Sequence, residues 1–366
     1  MVRSPVRLLV LLLLAIAPLV RPHAQAPPRV VVVGDVHGDF TGFVRVLTEA
    51  GVIDRRRRWI GRDAVLVQTG DVPDRGPDSR KVMDLLIDLE KQAPKTGGRV
   101  RALLGNHEVM NLTGDLRYVT LAEYASYRSQ DAESLRERVY AASADPAQRD
   151  EPGYRQAWMA GRPLGWVELQ QAFLPQGRYG KWLRTHDVVT RVGDTLFLHG
   201  GIAPAYATLT IDTINGRARA ALAGRTPLAE PILSDEQGPL WYRGLALGAE
   251  TTLAAHVDAL LAFHRVSRIV VGHTVAPGVV LPRFGGKVIL NDVGMSPVYG
   301  GPTSSLEIRG GAVSVRHRGT LVPLPASSDL KAYLDSVLAL EPAGSTLRTW
   351  LAQGAVWPPQ QPTDVP

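Results

Sequence analysis

The chain has 366 residues, no cysteine, 45% hydrophobic and 21% charged residues, and a formal net charge of +6. Disulfides, thiolate metal sites and cysteine nucleophiles are excluded outright, and the apolar content suits a globular chain of one large domain or two small ones. Without residues 1–26, which hold Arg3, Arg7 and Arg21, the charge falls to +3, too mild to argue for a nucleic-acid partner.

In chain order, Arg3 and Arg7 precede Leu8 to Val20, a run of almost wholly aliphatic residues, and Ala24-Gln25-Ala26 fits a small-x-small cleavage site. This is the pattern of a signal peptide over residues 1–26. The apolar run is short against the roughly 20 residues of a membrane span. The expectation is a periplasmic or secreted protein with no stable membrane insertion after cleavage, the alternative being an uncleaved anchor. No cysteine follows, so a lipoprotein anchor is out.

Arg29 to Val33 reads as a first strand and Asp39 to Ala50 as a helix, with Phe40, Phe43, Val44 and Leu47 at helical spacing. Arg55 to Arg58 form a basic cluster after Gly51, read as a solvated loop. Trp59-Ile60 is a short strand or edge, Ala64 to Thr69 a second core strand, and Asp78 to Gln92 an amphipathic helix. Arg99 to Leu104 is the third strand, and this alternation points to an α/β fold. Residues 109–185 differ: charged residues from Glu123 to Arg138, then Pro and Gly mixed with Tyr154, Trp158 and Trp166, read as a mostly helical insertion. Because it begins directly after His107, it is expected to form one wall of a cleft. Its aromatics either pack it on the core or line that wall.

A second strand-rich half follows. Val188 to Val192 and Thr195 to Leu198 flank the turn Gly193-Asp194. Residues 213–224 and 249–264 are helices, Arg268 to Val271 and Val288 to Leu290 strands. Leu306 to Ile308 and Val313 to Arg316 form a closing hairpin, Ser327 to Leu340 a helix, and the Pro- and Gln-rich residues 357–366 a disordered tail.

Several strands end in the same way. Gly34-Asp35-Val36-His37-Gly38, Gly70-Asp71-Val72-Pro73-Asp74-Arg75-Gly76, Gly105-Asn106-His107-Glu108, His199-Gly200 and Gly272-His273 each follow an apolar run. A single Gly-Asp or lone His is weak evidence, since either is common in turns. Five such strand ends in one chain are hard to obtain by chance, and rigid strands deliver catalytic groups at their ends. Asp35 and His37 suit one metal ion, Asn106, His199 and His273 a second, and the two oxygens of Asp71 can bridge both. A metal pair clamps a phosphate ester and generates hydroxide at neutral pH. The planar fork of Arg75 suits phosphate oxygens. With no cysteine and no serine-nucleophile motif, the expected reaction is direct attack of a dimetal-bound hydroxide on phosphorus.

These words resemble the three hallmark motifs of the phosphoprotein phosphatase group of the calcineurin-like metallophosphoesterases, over about residues 29–320. Leu104 to Leu112, Pro239 to Gly244 and Gly294-Met295-Ser296 are similar to the Shewanella-like phosphatase branch. The resemblance implies a four-layered α/β/β/α sandwich, a metallophosphoesterase domain over 29–320; the insertion at about 109–185 has no clear counterpart in the eukaryotic serine/threonine enzymes, and the sequence adds a C-terminal helical extension over 321–356. The resemblance implies metal ligands Asp35, His37, Asp71, Asn106, His199 and His273. It further implies His107 as the acid that protonates the leaving oxygen, Asp74 as its orienter, and Arg75 and Arg243 as phosphate grips. Manganese, iron and zinc all suit this ligand set. Asp39 and Gly272-His273-Thr274 depart from the eukaryotic serine/threonine enzymes, so their specificity does not transfer. The expected function is a secreted phosphomonoesterase of phosphoproteins leaning toward phosphotyrosine. The alternatives are a hydrolase of small phosphate esters or dinucleoside polyphosphates and, ranked lower, a non-catalytic phosphate-binding protein.

Overall fold

The computed structural model describes residues 28–224, 229–326, 330–354 and 357, so the expected signal peptide and all of the tail but Trp357 lie outside the described residues. The strands are β1 (Val30–Val33), β2 (Val65–Gln68), β3 (Arg99–Ala102), β4 (Val189–Val192), β5 (Thr195–Leu198), β6 (Arg268–Val271), β7 (Leu281–Arg283), β8 (Val288–Leu290), β9 (Ser304–Arg309), β10 (Ala312–His317) and β11 (Thr320–Pro323). They form two mixed sheets, ordered β11-β10-β9-β1-β2-β3 and β4-β5-β6-β8-β7. In each sheet three neighbours run parallel: β1 with β2 and β2 with β3, β5 with β6 and β6 with β8. Val30 to Val33, Leu196 to Leu198 and Ile269 to Val271 are buried without alternation. Strands buried on both faces read as continuous apolar runs, as the inner layers of a sandwich must.

The first half carries α1 (Phe40–Glu49), capped by Asp39 through Gly42 N, and α2 (Ser79–Gln92). Between β3 and β4 run six helices: α3 (Asn106–Thr113), α4 (Leu121–Tyr127), α5 (Ala132–Ser143), α6 (Tyr154–Ala160), α7 (Trp166–Phe173) and α8 (Arg178–Leu183). The second half adds α9 (Ile211–Ala223), α10 (Pro231–Ser234), α11 (Gly244–Leu247), α12 (Glu250–His264), α13 (Lys331–Leu338) and α14 (Thr346–Ala352). One continuous core joins both sheets to α1, α2, α9 and α12. The whole is the α/β/β/α sandwich expected from the sequence. Among the described residues no helix is long and apolar enough to cross a membrane.

Some elements differ from the sequence reading. The helix expected over Ser327–Leu340 is observed as α13, Lys331–Leu338, and residues 327–329 lie outside the described residues. Trp59 makes only an isolated bridge to Ile53. β11 carries the first sheet past residue 320 to Pro323. The charged stretch Glu123 to Arg138, read as helical, is two helices, α4 and α5, and Glu123 within it is wholly buried. Of the aromatics in 109–185, read as packing the insertion on the core or lining a wall, Tyr140 and Trp158 make a small cluster of their own, while Trp166 packs against the main core with its ring 6.4 Å from that of Trp158.

Candidate metal centre

The six expected ligands all lie at the C-terminal ends of parallel strands, where an open α/β sheet offers its crevice. Asp35 and His37 follow β1, Asp71 follows β2, Asn106 opens α3 after β3, His199 follows β5 and His273 follows β6. Each is buried, to 6% exposure or less. The turns that aim them are strained: His37, Asp71, Asp74, Arg75 and His273 are five of the ten non-glycine residues with positive φ among the described residues. Such conformations concentrate where surrounding bonds over-determine them. Two motif glycines follow from the crowding. A Cβ on Gly105 would collide with the Asp71 carboxylate, and one on Gly272 with that of Asp35.

The hydrogen bonds fix which ring nitrogens face inward. His37 Nδ1 lies 3.1 Å from the Pro73 carbonyl, His199 Nδ1 2.9 Å from that of Thr69, and His273 Nε2 3.1 Å from that of Trp241. A carbonyl only accepts, so each of these nitrogens donates its proton there and the other nitrogen of each ring is the one turned into the site. Those inward nitrogens converge. His199 Nε2 lies 2.9 Å from Asn106 Oδ1, 3.1 Å from His273 Nδ1 and 3.2 Å from Asp71 Oδ1. His37 Nε2 lies 3.7 Å from Asp71 Oδ2. Burial, then the neighbouring His107, lowers His37 to about 3, and burial, then His199, holds His273 well below the usual range, so both are neutral. Burial together with Asp292 and Asp71 raises Asp35 well above the usual carboxylate range. Lone pairs and buried carboxylates crowded in this way repel one another unless a cation lies among them. Imidazoles tied back to carbonyls are what metal-ligating histidines use. The residues present therefore fit two metal ions that share Asp71.

Beside this set, His107 Nδ1 is 2.6 Å from Asp74 Oδ2, and its Nε2 is 3.8 Å from Asp71 Oδ2. Burial opposes the imidazolium, but the Asp71 charge and the Asp74 bond and charge outweigh it, so the His107 pKa is raised. Asn111, one turn along α3, donates from Nδ2 to Asp74 Oδ1 at 2.9 Å. Arg75 is sandwiched, its guanidinium 4.6 Å from the Tyr118 ring and 5.4 Å from that of Tyr299, and its Nε has no partner. Arg243 reaches the same place: its Nη1 donates to the His273 carbonyl at 2.7 Å and to Thr274 Oγ1 at 3.2 Å. All ten residues singled out in the sequence are thus brought to one site.

Other residues took no role in the sequence reading. Glu108 accepts the amides of Asp71, Val72 and Gly105 at 2.9, 2.7 and 2.7 Å, which pins two motif loops together. Its signal was its place in the Gly-Asn-His-Glu word. Asn111 was findable as the residue one helical turn from His107. Asp292 lies against Asp35, and burial pushes it up to about 6. Tyr118 and Tyr299 had no signal, since each enters the site from a segment without regular structure.

Two sheets, strand-end loops and paired ligand sets sharing one aspartate define a dinuclear metal-dependent phosphatase. The chain belongs to the calcineurin-like phosphoesterase family, whose model matches residues 28–277. An uncharacterized protein of Schizosaccharomyces pombe is 34% identical over 83% of this chain and 86% of its own length. The Shewanella-like protein phosphatase 2 of Arabidopsis thaliana is 29% identical over 74% of this chain and 72% of its own. Among solved structures, a cold-active protein-tyrosine phosphatase of a psychrophilic Shewanella species superposes with a TM-score of 0.64 at 28% identity, covering 81% of this chain and 80% of that one.

Proposed function

We propose that the chain hydrolyses phosphate monoesters on proteins, with a preference for phosphotyrosine. The observation that carries the preference is the pair of tyrosines around Arg75. Tyr118 and Tyr299 flank its guanidinium, and their rings also lie 5.0 Å from His107 and 5.8 Å from His37. An arginine held between two aromatic faces presents its fork to a phosphate while the rings offer stacking surface to an aryl leaving group. The name of the Shewanella structure, a protein-tyrosine phosphatase, supports the same substrate class.

By the resemblance of the motifs, Asp35, His37 and Asp71 would hold one ion, and Asp71, Asn106, His199 and His273 the other; the ligand atoms of Asp71, His199 and His273 lie within 4.8 Å of one another, as do those of His37, Asp71 and His107. When bound, two such ions polarise the phosphoryl oxygens and supply the nucleophile at neutral pH. Manganese, iron and zinc all suit mixed Asp, Asn and His ligation. Arg75 and Arg243 grip phosphate oxygens. His107, held by Asp74, gives its proton to the leaving oxygen as the P–O bond breaks.

The test is turnover of residues 27 onward on phosphotyrosine and phosphoserine peptides and on a nucleotide panel, with Tyr118→Ala alongside. The reading expects phosphotyrosine to lead, and Tyr118→Ala to narrow that lead by about tenfold, the worth of one stacking contact. A nucleotide turned over faster than either peptide overturns it. Export belongs to this proposal too, on the strength of residues 1–26. A mature N-terminus at residue 27 in an extracytoplasmic fraction tests it, and an intact leader on the cytoplasmic protein refutes it.

A further inference from the structure

Behind the acid pair lies a buried carboxyl that the mechanism above does not use. Glu123 projects from α4, the helix that begins three residues after Tyr118, and none of its surface reaches solvent. Its carboxyl faces the Ser79 hydroxyl and the Asp74 amide, yet neither oxygen completes a hydrogen bond. The Tyr127 hydroxyl, one turn further along α4, is also buried and unpartnered. Ser79 stands between this carboxyl and the acid pair. Ser79 Oγ accepts the Asp74 amide at 3.1 Å, so its own proton is left to find an acceptor, and Glu123 stands where that acceptor must be. Asp74 sits at a φ of 71°, a conformation that a non-glycine residue keeps only when its surroundings hold it.

We propose that Glu123 is a positioning residue for the Asp74–His107 pair, through which the helical insertion sets the alignment of the acid. The inference rests on His107 being that acid. The groups around Glu123 agree with a neutral carboxyl. Burial and then the Asp74 charge raise it to about 8, Tyr124 and Tyr127 on its own helix are neutral phenols, and Arg80 of α2 is turned onto the Tyr127 ring at 5.6 Å. A neutral carboxyl has an oxygen to accept the Ser79 proton. One formed hydrogen bond links the same segments: the Arg75 amide donates to the Tyr118 carbonyl at 3.0 Å, which holds the 70–76 loop from the insertion side, while Glu108 holds it from α3.

The leaving group reports on the acid. As the P–O bond breaks, its electron pair passes to the leaving oxygen, which takes the His107 proton. A serine alkoxide needs that proton, whereas p-nitrophenolate leaves without it. The experiment measures kcat and KM on a phosphoserine peptide and on p-nitrophenyl phosphate for wild type, Glu123→Met, Glu123→Gln and His107→Asn, all metal-loaded and checked for equal thermal midpoints. Methionine keeps the volume and removes the bonds, and glutamine supplies a neutral amide in place of the acid. For Glu123→Met the inference expects kcat on phosphoserine to fall about tenfold, a misalignment cost, kcat on p-nitrophenyl phosphate to fall less than about threefold, and KM to hold. Glu123→Gln restores most of the loss. Equal losses on both substrates in Glu123→Met, or no loss, overturn the inference while a leaving-group-selective His107→Asn leaves the acid reading standing. A His107→Asn loss equal on both substrates overturns the acid reading, and the inference with it.

Discussion

Replacing Glu108 by Gln tests whether the metal centre is built from its supporting bonds outward. Glu108 Oε2 accepts the amides of Asp71 and Gly105, and Oε1 that of Val72. Glutamine keeps one acceptor oxygen and puts an NH2 group in the other position. In the better rotamer the oxygen serves Asp71 and Gly105, and the NH2 faces the Val72 amide, donor against donor. One buried amide is then orphaned, which costs about 1–3 kcal/mol. Asp71 stands at a φ of 57° and serves both ligand sets, so the loosened turn also blurs the bridging carboxylate. Loss of such a supporting contact typically lowers metal affinity by about 10–100-fold. Urea unfolding of the metal-free protein measures the first quantity, and competition with a chelator the second. A Glu108→Gln protein with the wild-type urea midpoint and the wild-type metal affinity would refute this account of how the turns are held.

Asp71→Asn removes the shared charge, and bound metal measured by elemental analysis falls from two ions per chain to one or none, with turnover lost. Gly105→Ala drives a Cβ into the Asp71 carboxylate and amide; it is expected to lose metal and to unfold at lower urea than wild type. Glu307, on the strand beside β1, accepts from Arg29 at 2.9 Å and from Arg316 at 2.8 Å. Burial raises its pKa, but the bonds from Arg29 and Arg316 outweigh burial and leave it lowered. A depressed folded value means stability that is present above the unfolded value of 4.5 and lost as pH falls through the folded value. Glu307→Gln should therefore cost about 2 kcal/mol at pH 7, a charge-assisted bond's worth. Its deficit against wild type should shrink below about pH 4.5 in urea titrations, and a deficit unchanged at pH 4 would count against the ion pair.

The site was legible in the sequence because its parts are local words. Each ligand sits within a few residues of an apolar run and a glycine, so strand, turn and donor are read together. The inner strands were legible for a related reason: Val30 to Val33 and Ile269 to Val271 carry their burial in composition alone. What escaped reading depends on tertiary approach. β7 contains Pro282 and is only three residues long, so no periodicity marks it. Tyr118 and Tyr299 reach Arg75 from segments 43 and 224 residues away in sequence, and nothing local announces either contact. Glu123 was read with its charged neighbours because helix spacing shows which residues share a face, not which face another element will cover. Leu121, three-quarters exposed, and Glu123, fully buried, stand two residues apart on α4.

The division of the ligands between the two sheets has a consequence for how the chain comes apart. Asp35, His37, Asp71 and Asn106 follow strands of one sheet, and His199 and His273 follow strands of the other. An ion seated among Asp71, Asn106, His199 and His273 is in effect a reversible cross-link between distant parts of the polymer. It closes one loop from Asn106 to His199 and another from there to His273, and closing loops of that length removes a large share of the freedom of the unfolded chain. Binding and folding then share one free energy. The two halves of the sandwich cannot part without ejecting the ion, so the lifetime of the folded enzyme should be set by the off-rate of its metal as much as by the packing of its core.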